Sequence, residues 1–141
     1  MALAQNLGAG VAACYRGTRL YDTPAAQAVV AKWVNIYKAY RDILTSDLIH
    51  IRRPDGASLD GFLHANALLA TPGFALIFNP AVQALTQNIT FPLYYTGLQT
   101  TARMARDGGP PQAYALERDY SVTLEITLEA QSVAYFVITG N

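Results

Sequence analysis

The chain has 141 residues, enough for one ordinary domain and too few for a typical barrel enzyme of about 250 residues. Only 14% of residues are charged and the net charge is zero, so there is no electrostatic footprint for nucleic acid or an anionic membrane surface. The 52% hydrophobic content implies either a chain made mostly of core strands or one that buries a side against something outside itself.

The N-terminal stretch imitates an export signal, because Val11-Ala12-Ala13-Cys14 has the small-residue pattern of a lipoprotein cleavage site. The imitation is poor: no Lys or Arg precedes Arg16, and Gln5, Asn6, Gly8 and Gly10 interrupt the apolar run. Residues 7–14, small and apolar throughout, predict a short buried parallel strand. A polar loop from Tyr15 to Asp22 follows. Thr23 then offers a cap and Pro24 suits the first helical position. Val29, Trp33, Ile36, Tyr37, Tyr40, Ile43 and Leu44 recur at helical spacing, which predicts one long amphipathic helix over residues 24–44.

Beyond residue 47 the period changes from 3.6 to 2. Leu48–Arg53 and Leu59–Ala65 flank the turn Pro54-Asp55-Gly56, and Phe74–Phe78 is a continuous apolar strand. Ile89, Phe91 and Leu93 alternate with polar residues, and Pro92 assigns the end of that strand to an edge. Short strands near 101–106 and 113–118 flank the loop Gly108-Gly109-Pro110-Pro111. Tyr120, Val122, Leu124, Ile126 and Leu128 form the buried face of a strand that enters a last hairpin with Val133–Thr139. The fold class is therefore α+β: a short N-terminal strand and one long helix, then a mainly antiparallel β-sandwich.

Chemistry is sparse. Glycosidic hydrolysis needs two carboxyls about 5–9.5 Å apart, one of them raised in pKa by an apolar setting. Asp22, Asp42, Asp47, Asp55, Asp60, Glu117, Glu125 and Glu129 fall at helix ends, turns, strand starts or solvated faces, so no catalytic residue is assigned. His50 and His64 sit on neighbouring strands but fall short of the three or four ligands of a zinc site. Gly8-Ala9-Gly10 lacks the third glycine and acidic partner of a dinucleotide site, so no metal and no cofactor is expected. Cys14, the only cysteine, excludes an internal disulfide, and no apolar run reaches the ~18 residues of a membrane helix. Asn88-Ile89-Thr90 is a formal glycosylation sequon lying in a strand. Nine tyrosines and one tryptophan raise a carbohydrate reading, with Tyr94-Tyr95 the most exposed-looking pair.

Three stretches carry a resemblance: Arg16 to Pro24, Tyr40 to Gly56, and Phe91 to Gly97. They resemble the C-terminal part of bacterial glycoside hydrolases with an α-galactosidase-like barrel, and Val122 to Ile138 is similar to the last two strands of the sandwich that follows such barrels. The resemblance implies that residues 1–47 hold the terminal strand, loop and helix of a (β/α)8 barrel and residues 48–141 a C-terminal sandwich. It also implies a missing upstream catalytic barrel as partner and a periplasmic or extracellular setting. No family catalytic acid has a counterpart here. Since a barrel's catalytic face is built from its βα-loops, Tyr15, Arg16, Arg19 and Asp22 become the substrate-facing candidates. Without the barrel, the exposed apolar helix face is expected to drive homo-oligomerisation. Three readings stand: a non-catalytic accessory region of a glycoside hydrolase, a free-standing carbohydrate-binding module, and a structural sandwich unrelated to sugars.

Overall fold

The computed structural model describes residues 2–11, 19 and 21–140. Among these residues, three helices lie against one face of a six-stranded sheet, and a two-stranded ribbon covers the other face. The helices are α1 (Ala2–Gly8), α2 (Pro24–Ala39) and α3 (Arg41–Leu44). The strands are β1 (Asp47–Arg52), β2 (Asp60–Ala65), β3 (Gly73–Phe78), β4 (Leu85–Pro92), β5 (Thr101–Arg106), β6 (Gln112–Ala115), β7 (Ser121–Leu128) and β8 (Val133–Thr139). The large sheet runs β1-β2-β3-β8-β5-β6 and the ribbon pairs β4 with β7, every pairing antiparallel.

This layering explains the continuous apolar runs. Successive side chains of a strand point to opposite faces, so a strand covered on both sides needs no polar alternation. In β3, Phe74, Leu76 and Phe78 meet the helices while Ala75 and Ile77 meet the ribbon. In β8, Tyr135 joins the helix side, and Ala134, Phe136 and Ile138 join the ribbon side. The ribbon is covered on one face only and alternates accordingly. Ile89, Phe91, Val122, Ile126 and Leu128 point inward, while Thr86–Thr127 and Thr90–Thr123 pair outside through hydroxyl contacts of 2.8 Å.

Three expectations change. First, Leu7 and Gly8 belong to a helix rather than to a strand over 7–14, of which residues 12–14 lie outside the described residues. Gly10, at φ 75°, ends that helix in the left-handed conformation. Its N–H donates to Leu7 O at 3.2 Å, and Val11 N–H donates to Asn6 O at 2.9 Å, which is the paired closure favoured at a glycine-capped helix end. A Cβ at Gly10 would also stand 2.0 Å from the Leu44 carbonyl oxygen. Second, the helix expected over 24–44 divides at Tyr40 into α2 and α3. Thr23 and Pro24 start it as expected, with Thr23 Oγ1 accepting from Ala26 N at 3.1 Å. Its apolar stripe has a partner inside the chain. Trp33 is buried edge-on against Tyr135, and Tyr40 packs on Phe74 with ring centroids 5.0 Å apart. Only Val29 of that stripe is left largely open, at 48% exposure.

Third, β7 and β8 form no hairpin, because they lie in different layers. The chain crosses from ribbon to sheet between Leu128 and Val133, and it crosses the other way between Phe78 and Leu85. Asn79, fully buried, ties the two crossings together. Its amide nitrogen donates to the carbonyls of Gln83 (2.8 Å), Leu128 (3.0 Å) and Glu129 (2.9 Å), and its amide oxygen accepts from Ala81 N at 2.9 Å. Asn79 N–H donates to Ser132 O at 2.9 Å.

Removing that amide leaves several part-buried backbone groups without partners. Asn79→Ala should therefore cost about 2–4 kcal/mol, and Asn79→Asp more, since a carboxylate would face three carbonyl oxygens. Urea unfolding monitored by tryptophan fluorescence measures both; a loss below about 1 kcal/mol in either variant would contradict this role.

Candidate functional site

At one end of the sandwich the chain leaves β4 through Leu93 and makes a single 3-10 turn, Tyr94–Thr96, before Gly97 at φ 75°. The turn is anchored on both sides. Leu93 is completely buried and its N–H donates to Tyr120 O at 3.0 Å. Thr96 is also buried, with Oγ1 donating to Leu93 O at 2.6 Å. Between these anchors, Tyr94 and Tyr95 stand 62% and 64% exposed. Their rings are perpendicular, with centroids 5.1 Å apart.

A third tyrosine completes the cluster. Tyr120 meets the Tyr94 ring edge-on, at 5.6 Å and 71°. Its φ is 62°, a region that costs an L-residue with a bulky side chain roughly 1–2 kcal/mol. The turn over-determines this conformation. Tyr120 N–H donates to Glu117 O at 2.9 Å while its carbonyl accepts from Leu93. Asp119 stiffens the same turn by accepting from Ser121 Oγ (2.7 Å) and Ser121 N (3.1 Å), hydrogen bonds that hold its carboxyl below the usual range. Asp107 and Gln131 also adopt positive φ, and Tyr120 is the bulky aromatic among the three.

Tyr95 also forms one wall of a polar cleft of about 350 Å³, with Thr45, Ser46, Asp47 and Asn66 on the remaining sides. Asn66 is oriented by its own bonds. Its amide nitrogen donates to Ser46 Oγ at 3.1 Å and its oxygen accepts from Leu68 N at 3.0 Å. Asp47 is exposed and forms no ion pair among the described residues. The arrangement joins flat aromatic surface to hydroxyl, amide and carboxylate groups, which suits an uncharged ligand with one apolar face and a polar rim.

Of the residues singled out in the sequence, Tyr94 and Tyr95 fall in this site. Tyr15 and Arg16 lie outside the described residues, while Arg19 and Asp22 are exposed ahead of α2 and do not line the tyrosine cleft. Tyr120 does not begin the buried face of β7 as expected; it precedes the strand, in the turn. The turn-forming Asp119 before it was the available signal. Asp47 and Asn66 had no signal, because only the pairing of β1 with β2 and the fold of the following loop bring them beside Tyr95.

His64 is buried, with Nε2 2.7 Å from Gly8 O and Nδ1 3.3 Å from Ser46 O, so it joins the end of α1 to the loop before β1. Among the described residues, no group of three or more His, Cys, Asp or Glu is placed to hold a metal. Also among them, no helix is long and apolar enough to cross a membrane. Asp60 departs from its expected solvated setting. It faces a mainly apolar cleft beside His50, Phe62 and Phe78, where burial chiefly, and then the charge of Asp55, push its carboxyl upward.

No family model matches the chain, and no curated protein does. Among solved structures, a Family 35 carbohydrate binding module from Clostridium thermocellum is similar over 68% of this chain and 77% of its own, at 11% sequence identity and a TM-score of 0.33. A likeness that loose carries no argument about fold or ligand.

Proposed function

We propose that this chain is a non-catalytic carbohydrate-binding domain, with a glycan lying across Tyr94 and Tyr95 and reaching into the cleft lined by Asp47 and Asn66. One observation carries the reading. Two tyrosines more than 60% exposed sit on a turn whose flanking residues, Leu93 and Thr96, are almost wholly buried. Large exposed aromatics normally cost a domain solubility, and here the backbone is organised to present them. A pyranose offers the matching chemistry: axial C–H groups for the ring faces and equatorial hydroxyls for carboxylate, amide and hydroxyl partners. The fixed turn lowers the ordering cost of binding.

The finer reading, a C-terminal accessory region that stabilises a glycoside hydrolase barrel, belongs to the same proposal. In that setting Arg19 and Asp22, exposed ahead of α2, together with Tyr15 and Arg16 before them in the sequence, are the residues proposed to face the barrel's substrate. Val29, open on α2, is then part of the surface that meets the barrel, or a second copy of the chain.

Affinity electrophoresis through gels containing a panel of neutral polysaccharides tests the central reading. At least one polysaccharide should retard the native chain, and Tyr94→Ala or Tyr95→Ala should each weaken retardation about 10-fold, the order expected of one lost aromatic contact. Free migration through every gel would remove the proposal. Tyr120 supplies an independent check on the site's rigidity. Tyr120→Gly should be more stable than Tyr120→Ala by roughly 1 kcal/mol, because glycine accepts the positive φ and alanine does not. Paired thermal melts read the difference; equal midpoints would mean that the turn holds no strain.

A further inference from the structure

A second cleft, remote in sequence from the tyrosine turn, has its own chemistry. It lies between α1 and the β1–β2 edge, has a volume of about 300 Å³, and is lined mostly by apolar surface with Gln5, Asn6, His50 and Asp60 at its polar points. Strand register builds it. His50 stands across from Phe62, and Asp60 stands across from Phe78. Asp60, Phe62 and His64 share the helix-facing side of β2, because alternate residues do. Phe62 and Phe78 pack with centroids 5.6 Å apart, giving the cleft an aromatic floor of which Phe62 is the more open part.

Asp60 is the unexplained group in this cleft. It is half-buried, yet among the described residues it has no ion pair and accepts no side-chain or backbone hydrogen bond. The neighbouring Arg52 is committed elsewhere: its guanidinium reaches Asp55 at 3.3 Å, Ser58 at 3.1 Å and Gln87 at 3.4 Å. Asp55, a few residues away, shows the contrast. It accepts from Ala57 N (2.9 Å) and Ser58 N (2.7 Å), and those bonds bring its carboxyl down to about 2. A carboxylate half-removed from water without such partners is a net cost to the fold. Carboxylates and clefts in this condition mark binding sites more often than ordinary surface.

We propose that the Asp60 cleft binds a small ligand through a protonated amine. The carboxylate accepts its N–H groups, and the ring of Phe62 favours a cation over a neutral group of the same shape. Gln5, Asn6 and His50 supply hydrogen bonds to whatever polar groups flank the amine. An anion would be repelled by Asp60, and a hydrated divalent metal would want several oxygen ligands where the cleft offers one carboxylate. Given the carbohydrate reading above, an amino sugar is the natural carrier, although the amine contact stands without that reading.

Three probes of one ring shape separate the amine from the sugar: glucosamine, N-acetylglucosamine and glucose. Each is titrated into the full chain at neutral pH while backbone amide resonances are followed. Glucosamine should shift the resonances of Asp60, Gly61, Phe62 and His50 and bind at least about 10-fold more tightly than the two uncharged sugars. Asp60→Asn should bring all three within roughly 2-fold. The doubly substituted Tyr94→Ala/Tyr95→Ala chain should keep the glucosamine preference even as it loses polysaccharide retardation, which distinguishes failure here from failure of the tyrosine site. Equal binding of the three probes, absence of shifts at this cleft, or a preference that survives Asp60→Asn would each overturn the proposal.

Asp60→Asn also has a stability signature that shows whether the variant folds. Burial raises the folded-state pKa of Asp60 above its unfolded value, so the native state holds this proton more tightly. The penalty is absent below the unfolded value of 3.8 and grows as pH rises through the folded one. The variant should therefore melt above the native chain at about pH 7, and the gap should close by about pH 3. A variant that melts lower at neutral pH would show that Asp60 has a stabilising partner and no vacancy for a ligand.

Discussion

A single buried amide, that of Asn79, joins the two places where the chain changes layer. A sandwich whose second layer is only a two-stranded ribbon must carry its chain across the gap between layers and back, and each crossing exposes backbone groups that neither sheet satisfies. Asn79 meets that demand for both crossings together, bonding to the loop that enters β4 and the loop that leaves β7. A side chain carrying both donors and an acceptor is required, and asparagine is the shortest that does so without charge. With the crossings fixed, β4 and β7 are held in one register, and their inward residues meet the sheet core of Leu63, Ile77 and Phe136.

The helices follow from the other face of the same sheet. Phe74, Leu76, Phe78 and Tyr135 form a continuous apolar surface that a lone sandwich would leave wet, and α1, α2 and α3 cover it. Trp33 and Tyr40 reach it from the helix layer, while His64 secures the end of α1 through Gly8. The helix layer is therefore part of the fold's core energetics and shares no more with the ribbon than the sheet between them.

Local chemistry made most of the strands legible. Turn residues around Pro54-Asp55-Gly56 and alternation in Thr123, Glu125 and Thr127 act over a few residues, and the strands they bound lie within a residue or two of where the pattern puts them. The neighbouring of β1 and β2 was legible, but the change of layer between β7 and β8 was not. Nothing near Leu128 or Val133 says that the chain changes layer there, because the deciding contact comes from Asn79, far away in sequence. The N-terminal error has a different origin. A run such as Leu7-Gly8-Ala9-Gly10 suits a buried strand or the capped end of a small-residue helix equally by composition, and periodicity over so few residues cannot separate them. The left-handed cap at Gly10 decides it.

The candidate sites show the same division. Tyr94 and Tyr95 were visible because paired aromatics before a Thr-Gly turn are a local feature, whereas Tyr120, Asp47 and Asn66 join them only through tertiary structure. A carboxylate at a strand start, such as Asp60, reads as solvated until its cross-strand neighbour proves to be Phe78. The two sites share one physical property: each spends stability that the two cores supply. Tyr120 holds an unfavourable φ, two tyrosines stay in water, and Asp60 is half-buried without an ion pair or hydrogen bond among the described residues. Costs of this kind persist where they serve a function, and they sit here at the rims of a sheet whose centre is buried on both faces.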